Sequence, residues 1–203
     1  MAEHGGSARD EILARVRAAT VDALSPARPT LQPSGPVSVD LFTERVADYR
    51  AVVERCSVDD LPARLATALG ERTVVVPDGL SLDLDAARAG GARLVPDTAL
   101  TWAELDAVDA VVTEARVGIA ETGTIVLDHG PGQGRRAITL VPDHHVCVVR
   151  ADQVVADVQD AVALLDPRRP HTWISGPSAT SDIELDRVEG VHGPRHLHVL
   201  VVG

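Results

Sequence analysis

Apolar positions early in the chain recur roughly every three to four residues, and further on they give way to short continuous apolar runs, a change that marks helices followed by buried strands. The first periodic stretch predicts a helix over residues 7–24. Ser7 stands as its N-cap, Asp10 and Glu11 fall in the first turn, and Ile12, Leu13, Val16, Val21 and Leu24 supply the apolar positions. Residues 25–36 contain Pro26, Pro29, Pro33 and Pro36 and few apolar side chains, which predicts a linker or an extended crossing segment. Leu41, Val46 and Val52 predict a second helix over 40–56, and a third over 59–69 is stopped by Gly70.

The period then changes. Thr73-Val-Val-Val-Pro77, bounded by Asp78-Gly79, predicts a short buried strand, and further strands are predicted over 93–95 and 109–113. Alanine-rich helical pieces over 83–89 and 101–108 separate them. Residues 123–128, 137–141 and 146–150 are β-branched runs with turn chemistry between them, so three more strands are expected. A helix over 153–165 ends before Asp166-Pro167, Trp173-Ile174 enters a Gly-Pro turn, and a strand over 197–202 closes the chain. Helices interleaved with all-apolar strands predict an α/β fold, a layered sheet with helices on both faces. The expected organisation is an N-terminal helix and proline-rich linker over 1–36, then one domain over 37–203.

Composition narrows the function. The net charge of −11 is spread along the chain, and the nineteen Lys and Arg form no basic stripe, which argues against nucleic acid as a partner. Aromatics are only Phe42, Tyr49, Trp102 and Trp173, too few for a stacking platform. With Cys56 and Cys147 as the only cysteines, this chain alone has too few thiolates for a four-cysteine cluster, and no disulfide framework is expected. The first ten residues are polar, and no apolar run reaches the length of a membrane span. A cytoplasmic protein without a membrane span is the expectation.

Three segments carry candidate chemistry. In Val117-Gly-Ile-Ala-Glu-Thr-Gly-Thr-Ile125, Gly118 and Gly123 bracket Glu121 in a turn whose backbone N–H groups suit an anion. Glu121 there suits a base, a nucleophile or the partner of an arginine. His129-Gly-Pro-Gly-Gln-Gly-Arg-Arg136 has three glycines but precedes a predicted strand, whereas a dinucleotide fingerprint opens a helix. Arg135 or Arg136 could grip a carboxylate or phosphate through the guanidinium fork, or lie in a solvated loop. In Ser175-Gly-Pro-Ser-Ala-Thr-Ser-Asp-Ile-Glu184, Ser178 suits an N-cap, with Thr180, Ser181 and Asp182 in a first helical turn facing an anionic ligand. His192, His196 and His198 lie close together, but without further convergent ligands they are expected to bind no metal.

Taken in order, Gly118-Ile-Ala-Glu-Thr-Gly-Thr124, Gly130-Pro-Gly-Gln-Gly-Arg-Arg136, Pro142-Asp-His-His-Val146, Gly176-Pro-Ser-Ala-Thr-Ser-Asp-Ile-Glu184 and Gly190-Val-His-Gly-Pro194 resemble the LUD domain, and within it the short lactate-utilisation protein C branch. The resemblance covers residues 40–203. It implies a fold similar to the NagB/RpiA/CoA-transferase group and a place in an iron–sulfur-dependent, NAD-independent system that oxidises L-lactate to pyruvate. It also implies two iron–sulfur proteins as partners, with the clusters in those partners and no cofactor bound by this chain alone. The motif positions it marks for a small carboxylate ligand are Gly118, Thr122, Gly123, Thr124, Arg136, Gly176, Ser178, Thr180, Asp182, Glu184 and His192. Glu121 is the expected catalytic residue, by fold-level analogy with a glutamate nucleophile in a glycine-flanked turn. Two alternatives stand beside this: a stand-alone CoA-transferase or isomerase acting through Glu121, and a non-catalytic scaffold that senses a carboxylate.

Overall fold

The computed structural model describes residues 7–21, 35–177, 179–180, 188–189 and 193–203. The chain forms two units, Met1–Pro33 and Ser34–Gly203. In the first, helix α1 (Ala8–Thr20) starts where the capping pattern predicts: the Ser7 side chain accepts a hydrogen bond from Asp10 N. Glu11 and Arg15 pair one turn apart, and none of the helix's residues is buried.

The second unit is built on six parallel strands in the order β1-β12-β7-β4-β2-β3. These are β1 (Val52–Cys56), β2 (Thr73–Val76), β3 (Arg93–Pro96), β4 (Ala110–Glu114), β7 (His144–Arg150) and β12 (His196–Val202). A smaller sheet, ordered β8-β5-β6-β9, comprises β5 (Val117–Ile119), β6 (Thr124–Leu127), β8 (Val154–Val155) and β9 (Thr172–Ile174). Strand pleating separates two cores. One face of the large sheet presents Val74, Val112, Val146, Val148 and Leu200 to Leu65, Leu69 and Ala87 of helices α3 (Leu61–Leu69) and α4 (Asp85–Ala89). On the other face, Cys147, Val149, Val199 and Val201 meet Phe42 and Val46 of α2 (Val39–Asp48) and Ile125 and Leu127 of the small sheet. Leu105 of α5 (Trp102–Asp106) covers Val75 and Val111 on that same face. The expected layered α/β sheet with helices on both faces is the fold observed.

Four expectations are corrected. The helix predicted over 40–56 ends at Asp48, and Val52–Cys56 becomes an edge strand paired with His198–Val202 of β12. Arg50, at φ 67°, turns the chain between them without glycine or proline. Residues 137–141 are no strand: Arg136–Thr139 forms a 3-10 turn that plugs Ile138 against Val75, Leu105 and Val111. The helix predicted over 153–165 shortens to α6 (Val158–Leu164), because Val154–Val155 pairs with β5 as β8 and the Asp157 cap starts the helix only at Val158. A helix start at Ser178 is replaced by a two-residue antiparallel ladder, β10 (Ala179–Thr180) with β11 (Val188–Glu189). Ser178, Ser181 and Asp182 themselves lie outside the described residues.

Chain order across the sheet locates the place where a ligand usually sits. From β2 the chain moves outward to β3, then jumps back to the other side of β2 as β4 and continues away through β7 and β12. The crevice at the carboxyl ends of β2 and β4 is therefore a topological switch point.

Phe42 is fully buried and closes the joint between α2 and both sheets. Phe42→Ala is expected to lower unfolding free energy by about 3–5 kcal/mol in urea titration; a loss below about 1 kcal/mol would contradict this packing.

Candidate functional site at the carboxyl edge of the sheet

Glu114 is the last residue of β4 and the only charged side chain in Ala110-Val-Val-Thr-Glu114. Its half-buried carboxylate accepts hydrogen bonds from Ser81 Oγ at 2.6 Å (Oε1) and Ser81 N at 3.1 Å (Oε2). The glycine-rich loop after β6 lies against it. Glu114 N donates to Gly132 O at 2.9 Å, and Gly132 N donates to Asp78 O at 2.9 Å, so one glycine laces the ends of β2 and β4 together. Gly132 sits at φ 75°, and a Cβ there would fall 2.2 Å from Glu114 Oε2. A side chain here would strain the left-handed backbone and displace the Glu114 carboxylate, which glycine avoids. The loop that suggests a dinucleotide fingerprint is in fact a clamp over a carboxylate, followed by a 3-10 turn instead of an α-helix.

Two chambers share Glu114 and Gln153 as a wall. The larger, about 690 Å³, is mostly apolar and is lined by Val58, Leu61, Leu82, Val148 and Val202. The smaller, about 450 Å³, is polar and is lined by Arg116, Asp128, Gln133, Asp166 and Arg169. Gln153 is held in place, donating to Ala115 O at 3.1 Å and accepting from Arg150 N at 3.0 Å. In the polar chamber, Arg116 Nε and Arg169 Nε stand 3.9 and 3.7 Å from Asp128 Oδ2. Asp128 is also engaged through its Oδ1, which accepts from Gly130 N. Two guanidiniums, Arg116 and Arg169, stand in this chamber among three carboxylates, Glu114, Asp128 and Asp166, and their forks are the chamber's means of holding a ligand carboxylate. Chemically, the arrangement offers an anchor for a carboxylate, an apolar space beside it and a fixed carboxylate between the two.

The sequence-marked residues distribute differently. Glu121 is exposed at the tip of the β5–β6 hairpin, its N–H donating to Ala156 O at 3.1 Å, and it lines neither chamber. Thr122 Oγ1 lies 2.8 Å from Thr124 Oγ1, which lies 2.8 Å from Ser175 Oγ, so the two marked segments do meet through hydroxyls. Arg136 and Gly176 line a separate cavity of about 190 Å³ with Thr139, His145 and Trp173. The glycines meet α2 and its end: a Cβ on Gly123 would lie 2.5 Å from Arg45 C, one on Gly118 3.0 Å from the Phe42 ring, and one on Gly176 2.4 Å from Tyr49 Cβ. Thr180 is in β10, while Ser178, Asp182, Glu184 and His192 lie outside the described residues. Sequence reading missed Glu114, Ser81, Arg116, Gln153 and Arg169. For Glu114 a signal existed: a lone acid ending an apolar strand marks the carboxyl edge of a parallel sheet.

Buried neutral groups brace the site from below. His145 is fully enclosed, with Nε2 2.8 Å from Thr113 Oγ1, whose hydroxyl also contacts Cys147 Sγ at 3.6 Å. Burial first, and the charge of His144 second, push the His145 pKa down to about 3. Burial drives the Cys147 thiol up to about 12, against the opposing hydrogen bond from Thr113, so the thiol stays protonated. His129 Nδ1 donates to Gly134 O at 2.8 Å, and its Nε2 lies 2.9 Å from Thr172 Oγ1. Among the described residues, no group of three or more His, Cys, Asp or Glu is placed to hold a metal, and no helix is long and apolar enough to cross a membrane.

Comparison with known proteins bears on this site. The family model for the LUD domain matches residues 96–202. Lactate utilization protein C of Deinococcus radiodurans is 47% identical over 199 residues, covering 89% of this chain and 91% of that protein. Lactate utilization protein C of Shouchella clausii is 31% identical over 106 residues, covering 49% of this chain and 46% of that relative. The 1.70 Å crystal structure of a DUF162 family protein from Deinococcus radiodurans is similar with a TM-score of 0.67 and 40% identity, covering 83% of this chain and 100% of that one.

The buried histidine makes stability depend on pH. Because the folded value for His145 lies below the usual 6.5, the unfolded chain takes up a proton that the folded chain refuses. Its contribution is complete above about pH 6.5 and is lost on acidification toward about pH 3, at about 1 kcal/mol per pH unit. Urea titrations at about pH 7 and pH 4.5 should show a smaller acid loss for His145→Gln than for the native chain; equal losses would contradict the assignment.

Proposed function

The chain belongs to the LUD-domain family, and from that premise we propose that it serves in L-lactate utilisation, as a cytoplasmic component of the system that oxidises L-lactate to pyruvate. The relatives named for lactate utilisation support this role. The observation that carries the reading is Glu114, fixed at the switch point between a polar chamber that holds two guanidiniums and an apolar one. In this reading Arg116 and Arg169 take the substrate carboxylate, the methyl group faces the apolar chamber, and Glu114 accepts a hydrogen bond from the substrate hydroxyl and so orients it. These assignments replace Glu121 as the proposed reactive acid, because Glu121 is exposed at a hairpin tip and lines neither chamber.

The electrons are assigned to two iron–sulfur partner proteins. Cys56 and Cys147 are both buried, and together they provide half the thiolates a four-cysteine cluster needs. The glycine-rich loop is spent on clamping Glu114, which supports a route without a nicotinamide. The similarity to the NagB/RpiA/CoA-transferase group is carried in this proposal as a fold relationship only.

A strain lacking the gene should fail to grow on L-lactate as sole carbon source and recover with the native chain. Glu114→Gln should still co-purify with two iron–sulfur proteins yet lower lactate oxidation by about a hundredfold or more. Undiminished growth of the deletion strain on L-lactate, or a native rate from Glu114→Gln, would contradict the proposal.

A further inference from the structure

The opposite, amino edge of the large sheet holds a second charged hollow. Residues at or just before strand starts converge there: Arg50 ahead of β1, Arg72 ahead of β2, His144 opening β7, and Arg195, His196 and His198 at the head of β12. They line a cavity of about 190 Å³ whose described lining contains no carboxylate. Two acids pair with these cations and orient them. Asp143 accepts two hydrogen bonds from Arg195, at 2.6 and 2.8 Å, and Glu54 pairs with His198 Nε2 at 3.0 Å. Arg72 is anchored by its Nη1 on Ala68 O and Leu69 O, at the end of α3.

Two further features mark the hollow. His144 Nε2 is buried and has no hydrogen-bond partner, a costly state for a polar atom. Arg50 holds φ 67°, a left-handed conformation that is unusual for a residue other than glycine and often retained where function requires it. The imidazoles invite comparison with a metal site, since the His144 ring centroid lies 5.9 Å from that of His196 and 6.4 Å from that of His198. Three guanidiniums in the same lining repel a cation, and no metal-holding group is found among the described residues. The electrostatics select an anion.

We propose that this hollow binds a small, multiply charged oxyanion, either free phosphate or the phosphoryl group of a larger molecule, at a site separate from the Glu114 chambers. The guanidiniums supply positive charge held in place by their partners, and His144 Nε2–H gains the acceptor it lacks. His144 is faced by Arg72, His198, His196 and Asp143. Burial, followed by the charge of Arg72, holds its pKa near 4, so it is neutral when the hollow is empty. A bound dianion favours the protonated ring, so affinity rises as pH falls.

The test monitors histidine ring signals by NMR during titration with sodium sulfate, whose charge is constant over the range, against sodium chloride at equal ionic strength. Saturable shifts of His144, His196 and His198 are expected, with tighter binding at about pH 5.5 than at pH 8. Arg50→Gly, which suits the left-handed backbone, and His196→Gln, at an exposed position, should each weaken sulfate binding about tenfold while thermal unfolding is preserved. Inorganic phosphate and methyl phosphate then distinguish the sources, and saturable binding of either supports the site: tighter phosphate points to the free anion, tighter methyl phosphate to a phosphoryl group. Chloride reproducing the shifts, native sulfate affinity in both variants, or saturable zinc binding on the same rings would overturn the proposal.

Discussion

The backbone contact between Gly132 and Glu114 is the constraint on which the carboxyl edge depends. Glu114 N donates to Gly132 O while Gly132 N donates to Asp78 O, so the ends of β2 and β4 are held by one residue that has no side chain to intervene. The open strand ends of a parallel sheet must find partners for their last backbone groups. Here the partner is a loop from the small sheet, which thereby brings Asp128 and Gln133 beside Glu114. The polar chamber is therefore a consequence of satisfying strand-end hydrogen bonds at the switch point. Arg116 and Arg169 then balance the acids that the clamp gathers.

A second close approach joins the two sheets. Helix α2 fits against the small sheet because Gly123, at φ 59°, leaves room for the backbone of Arg45 and Val46. Phe42 fills the remaining space beside Gly118. This docking sets the β5–β6 hairpin and the hydroxyl chain Thr122, Thr124 and Ser175. Packing, not ligand approach, accounts for these glycines, and it leaves Glu121 exposed on the outer turn.

Legibility in the sequence tracked the range of the interactions. Thr73–Val76 and the closing strand were readable because continuous β-branched or aliphatic runs need both faces covered wherever they lie. The strand Val52–Cys56 was hidden, since its pairing with β12 comes from the far end of the chain and Tyr49-Arg50 carries no breaker residue. Ile138 was misread because one buried isoleucine in a 3-10 plug has the same local pattern as a strand. For the site, two of the marked segments lie together, with Thr124 beside Ser175, and Arg136 and Gly176 line one cavity. They missed Glu114 because the local signal, a lone acid ending an apolar strand, says nothing of strand order, and strand order puts that acid at the switch point.

The proposed mechanism stands on one placement, a small hydroxy acid bound between Arg116, Arg169 and Glu114. A crystal structure of the chain soaked in L-lactate examines that placement without intermediaries. Density for lactate is expected with its carboxylate on the two guanidiniums and its hydroxyl toward Glu114. Lactate seated instead in the Arg136–Gly176 cavity, or no bound lactate at saturating concentration, would contradict it.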